Sequence, residues 1–138
     1  MARTLFHLNE RSFLQLAIAV FGLVPVCAGS VGVMLGQELL DPQHLQINLD
    51  SHFRYLSGIL LAIGLAFWHA IPRIESMTTR CRVLTFLVII GGIARGWALL
   101  DAGVPSMPMV LALGMELAVT PLLCLWQGRI AKQYGPVA

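Results

Sequence analysis

Four apolar runs separated by polar breaks set the pattern of this chain: Phe13–Leu35, Phe53–Ile71, Val83–Leu100 and Met107–Trp126. Each is close to the ~20 residues that an α-helix needs to cross a bilayer. The pattern predicts four spanning helices and nothing else. Before them, Met1–Ser12 is short and mixed, with Arg3 and Arg11 flanking Leu5 and Phe6, and reads as a surface-lying or flexible lead. The first run exceeds the roughly 7 to 15 apolar residues of a signal peptide, so it reads as a retained helix. Near its end Ala28, Gly32 and Gly36 recur every four residues, a spacing that lets helices approach closely.

The breaks carry most of the polar character. Gln37–Ser51, with Glu38, Asp41, Pro42 and Asp50 and no lysine or arginine, is expected to be a loop outside the hydrocarbon. Pro72 ends the second run because it cannot continue a helix. Within that run the stripe Asp50, Arg54, Gly58, Ala62, Ala66, Ala70 is expected to face protein and not lipid. A basic loop, Arg73–Arg82, follows. The third run places Gly91, Gly92 and Ala98 around Arg95, and a turn, Asp101–Ser106, leads to the fourth, where Pro108 suits a first helical turn. Pro121 is expected to kink the fourth helix just past Glu116.

Composition agrees with the pattern. Of 138 residues 57% are hydrophobic and 12% charged, with a mean hydropathy of +0.78, whereas about a quarter of an ordinary soluble domain is charged. The expected object is one all-α integral membrane domain, an antiparallel four-helix bundle. The net charge of +2 is no evidence for nucleic acid, because the basic residues sit where membrane topology puts them. Cys27, Cys81 and Cys124 form no CxxC and read as unpaired, with no metal site.

Arg3, Arg11, Arg73, Arg80, Arg82, Arg129 and Lys132 lie at the two ends and in the middle break, which predicts both termini in the cytoplasm. Asp50, His52 and Arg54 then mark the outer mouth of the second helix. At 1.5 Å per residue, Arg95 lies about 8 Å and Glu116 about 14 Å in from the outer ends of their helices. Asp50, Arg54, Arg95 and Glu116 are therefore expected to converge on the outer half. Arg95 and Glu116 are expected to face each other, since each alone costs roughly 2.5 to 3.5 kcal/mol at the bilayer centre.

Leu49-Asp50-Ser51-His52-Phe53-Arg54-Tyr55, Gly91-Gly92-Ile93-Ala94-Arg95 with Gly103-Val104-Pro105, and Glu116-Leu117 with Thr120-Pro121 and Leu125-Trp126-Gln127 resemble the bacterial family catalogued as domain of unknown function 4345. The likeness covers nearly the whole chain. It implies a four-helix inner-membrane protein, more distantly similar to DoxX-like membrane proteins, with Asp50, Arg54, Arg95 and Glu116 in its charged motif. Trp97 and Ala98 stand where a small hydroxyl residue is expected shortly after the arginine.

Two readings of the charges compete. They form either an internal network that fixes helix register, or a site where the arginines receive a carboxylate, phosphate or carbonyl, with Glu116 as counterion or proton-linked acceptor. The second makes the protein a non-enzymatic binder of a small amphipathic or anionic ligand or a lipid headgroup, or an accessory subunit of a larger complex. The alternatives are a quinone-reactive or DoxX-like oxidoreductase subunit and a small homodimeric proton-coupled transporter. No cofactor is expected; quinone and haem stand as the alternatives, and His52 and His69 lie at opposite ends of one span, which disfavours haem. Trp68, Trp126 and Tyr134 read as interface anchors, and Trp97 as a lipid-facing or packing residue.

Overall fold

The computed structural model describes the backbone from residue 2 to residue 134 and the side chains from Glu10 to Tyr134. Helix α1 spans Ala2–Leu35, α2 Ile47–Ala70, α3 Thr78–Ala102, α4 Met107–Gly114 and α5 Thr120–Tyr134, with a π-helical turn, Met115–Val119, joining the last two. Short 3₁₀ turns, Gly36–Leu39 and Ile71–Ser76, follow α1 and α2. There is no strand among the described residues. Four helical stretches, Glu10–Leu39, Ile47–Ser76, Thr78–Ala102 and Met107–Tyr134, are long and apolar enough to cross a membrane. This is an all-α, multi-pass membrane protein.

The helices overrun the apolar runs at the starts of α1 and α2, at both ends of α3 and at the end of α5. The lead is part of α1, not a separate segment; Arg3, whose side chain lies outside the described residues, belongs to it. Asp50 and Ser51, expected in a loop, occupy the first turns of α2, and Arg80, Cys81 and Arg82 belong to α3. Backbone hydrogen bonding continues past the hydrocarbon limit until a residue forbids it, so hydropathy alone marks helices too short. The stops are chemical. Pro72 and the non-helical Arg73 interrupt the path after α2; Gly103, at φ +97°, ends α3; Pro108 sits in the first turn of α4.

The chain divides into two compact units, Leu16–Ile71, and Met1–Gln15 together with Pro72–Ala138. In the first, the close approaches run from Gly22 with Trp68 through Gly64 with Val26 and Gly29 with Leu61 to Gly32 with Ser57 and Gly36 with Arg54. Every step forward on α1 is a step back on α2, so the pair is antiparallel. The stripe on α2 is thus Arg54, Ser57, Leu61, Gly64, Trp68, at alternating spacings of three and four. This corrects the four-spaced stripe, of which Ala62 is exposed. Four residues turn a helix by about 400°, so a strict four-spacing drifts off the seam by about 40° per step, whereas a seven-residue repeat holds it. On α1 the same repeat selects Gly22, Gly29 and Gly36, while Ala28 is exposed.

At Gly29 a Cβ would lie 2.6 Å from the Leu61 amide nitrogen and 2.8 Å from its Cα, and backbone has no rotamer by which to yield. Gly29→Ala should therefore cost about 1 to 3 kcal/mol through overpacking. Gly58→Ala, which would meet only Val33 Cγ2 at 3.9 Å, should be neutral. Thermal unfolding midpoints of the two variants in detergent check the contrast; equal losses would mean that the seam is elsewhere.

In the second unit Leu14, Ile74, Cys81, Leu84, Gln127 and Ile130 are buried. Gln127 Nε2 donates to the Ile74 carbonyl at 2.7 Å and to Thr78 Oγ1 at 3.0 Å. Arg11 donates through Nε to Glu75 at 3.0 Å and through Nη2 to the Pro72 carbonyl at 3.0 Å. The 3₁₀ turn after α2 is thereby anchored by both α5 and α1.

Candidate functional site

Asp50 and Arg54 lie one turn apart on α2 and act together on the end of α1. Arg54 Nε donates to Asp50 Oδ2 at 2.8 Å, Nη1 to the carbonyls of Val33 and Met34 at 2.7 and 2.9 Å, and Nη2 to that of Leu35 at 3.4 Å. These are last-turn carbonyls that have no partner within α1. A cation at this pole is also favoured by the helix dipole. Gly36 turns the chain at φ +62°, which presents the Gln37 amide to Asp50 Oδ1 at 2.7 Å. The loop beyond folds around buried Gln37, whose Nε2 donates to the His44 carbonyl and whose Oε1 accepts the Gln46 amide, both at 2.9 Å. The arrangement is a helix cap, with most of the arginine's donors engaged by backbone.

Arg95 is held differently. Its Nε and Nη2 donate to Glu116 Oε2 and Oε1, each at 3.0 Å, a two-pronged ion pair from α3 to the π turn. Gly92, one turn before Arg95, makes this possible, because a Cβ there would lie 3.0 Å from that of Glu116 and 2.7 Å from Leu117 Cδ2. Gly91, expected to share that role, has open space beside it. The remaining terminal nitrogen, Nη1, rests 3.1 Å from the sulfur of Met109. Of the five guanidinium N–H groups, three are engaged, one of them only by a thioether, a weak acceptor.

The expected kink takes the form of the π turn. Pro121 has no N–H to return to the Leu117 carbonyl, and widening the preceding turn accommodates its ring. The Met115 carbonyl there accepts both the Thr120 amide and Thr120 Oγ1, the latter at 3.0 Å. Glu116 sits inside this wide turn, a local geometry found frequently at functional sites.

Residues 13–127 match the family described as Domain of unknown function (DUF4345). The chain belongs to this family. No curated protein and no solved structure matches it. The DUF4345 assignment covers both charged pairs, and it names no activity.

Of the remaining candidates, His52 is exposed on α2, its ring 6.5 Å from that of Tyr55. Asp50 with Arg54 and Arg95 with Glu116 are each closed within their own unit, while His52 joins neither pair. Among the described residues no three His, Cys, Asp or Glu side chains gather as metal ligands. Trp97 is 74% exposed. Trp68, read as an interface anchor, donates its indole N–H to the Ala19 carbonyl at 3.1 Å and packs on Gly22. Sequence reasoning missed Met109, Gln37 and Gln127. Met109 lies seven residues, about two helical turns, before Glu116, so a count along the helix face that carries the glutamate would have found it.

Proposed function

We propose that this DUF4345 chain is a non-enzymatic inner-membrane protein that holds the polar or anionic head of a small amphipathic molecule or lipid at Arg95, with Glu116 as fixed counterion. The observation that carries this reading is the Met109 sulfur against Nη1. A carbonyl, carboxylate or phosphate oxygen is a far stronger acceptor and would displace the thioether, while Glu116 keeps the guanidinium oriented from the other edge. Arg54 has no comparable free edge, which favours a structural role for that pair. The positive-inside rule puts both termini in the cytoplasm and the Arg95 pair in the outer half, open to ligands from that leaflet.

Dodecyl phosphate, dodecanoate and monododecanoyl glycerol share one chain length and differ in head group. At least one should raise the unfolding midpoint of the protein in dodecyl maltoside, and the paired, charge-neutral change Arg95→Gln with Glu116→Gln should abolish the shift. Met109→Leu, which frees Nη1, should enlarge it. Equal shifts in the parent and the paired variant would overturn the reading.

For orientation, Cys81 is no reporter, since it is 2% exposed. In a background lacking Cys27, Cys81 and Cys124, an impermeant maleimide on intact cells should label His44→Cys and spare Arg73→Cys, both being exposed positions. The reverse pattern would move the Arg95 pair to the cytoplasmic half.

A further inference from the structure

We propose a second, separate site on this protein: a groove at the start of α3 that seats an anionic phospholipid, with Arg80 on the phosphate and Val83 and Leu84 along the first part of an acyl chain. The groove has a volume of about 440 Å³, and Ser76, Met77, Thr79 and Arg80 line it together with those two apolar residues. Arg80, Val83 and Leu84 stand at i, i+3 and i+4, so the cation sits directly over the apolar floor on one helix face. Arg80 is about 4.5 Å above Val83, where the apolar run begins, which is the level of a lipid phosphate relative to its chains. Arg95 is about 22 Å farther along the same helix.

Charge selects the occupant. Arg11, Arg54 and Arg95 are each bound by a carboxylate, whereas Arg73, Arg80 and Arg82 are exposed, and no ion pair engages them among the described residues. The acid nearest in sequence, Glu75, is taken by Arg11. No acidic residue lines the groove. Uncompensated positive charge above an apolar floor, on a helix long enough to cross a membrane, complements one phosphodiester joined to acyl chains better than it complements a free anion, which would leave Val83 and Leu84 unused.

Native mass spectrometry of the purified protein tests this with phosphatidylglycerol, phosphatidylcholine of the same chains, and inorganic phosphate. Phosphatidylglycerol should be retained preferentially, and Arg80→Gln should reduce its bound fraction about fivefold, the effect of one basic side chain at a lipid surface. Arg82→Gln removes the same charge outside the groove and should reduce it far less. Thr79→Trp keeps every charge but fills the groove, and should also abolish retention; circular dichroism confirms that each variant is folded. Equal losses in Arg80→Gln and Arg82→Gln would reduce the effect to diffuse attraction and overturn the site. So would undiminished retention by Thr79→Trp, or displacement of the lipid by inorganic phosphate.

Discussion

Arg95→Leu and Glu116→Leu should each destabilise the protein by about 3 to 5 kcal/mol, and the double replacement should cost much less than either. Both oxygens of Glu116 are engaged by Arg95 at 3.0 Å, so removal of the arginine leaves a carboxylate in an apolar segment with no counter-charge. Removal of the glutamate leaves a guanidinium held only against the Met109 thioether, a weak acceptor. With leucine at both positions neither charge remains and the space is filled by hydrocarbon. Unfolding midpoints in a denaturing-detergent titration measure the cycle. Strictly additive losses would show that the two residues are not energetically coupled and would remove the counterion role assigned to Glu116.

The second large effect is expected at Gly36. Gly36→Val should cost about 3 kcal/mol, of which roughly 1 to 2 is the left-handed backbone penalty for an L-residue. The rest follows from position. A Cβ at Gly36 would run into Asp50 Oδ1 and lie 2.6 to 2.7 Å from the Arg54 guanidinium, displacing the groups that bind the last α1 carbonyls and the Gln37 amide. Gly36→Asn tolerates the φ but not the contact, so it should recover only the backbone share. Full recovery with asparagine would mean that the Asp50–Arg54 cap contributes little.

The resemblance seen in the motifs and the family match agree, and neither supplies an activity. What distinguishes the two charged pairs is invisible at that level: Asp50 and Arg54, like Arg95 and Glu116, are opposite charges within the matched residues. The difference arises from what else each arginine touches. Arg54 meets the last turn of α1, a set of carbonyls with no side chain to announce them in the sequence. Arg95 meets a glutamate on one edge and a methionine on the other. One reads as structure and the other as a candidate binding centre.

The sequence alone determined the four apolar helices and the membrane class, because hydrocarbon admits only segments whose backbone bonds are satisfied within themselves. It also determined the pairing of Arg95 with Glu116, since a short turn and opposite charges leave few other partners. Helix ends were legible to within a residue beside Gly36, Pro72 and Pro108 and were missed elsewhere, because nothing in hydropathy stops a helix outside the hydrocarbon. The tertiary structure decided the seven-residue seam of α1 and α2, where helical drift defeats a four-residue count, and the π turn that carries Glu116. It also decided the cap formed by Arg54, because a backbone carbonyl becomes a partner only when the fold ends one helix beside another.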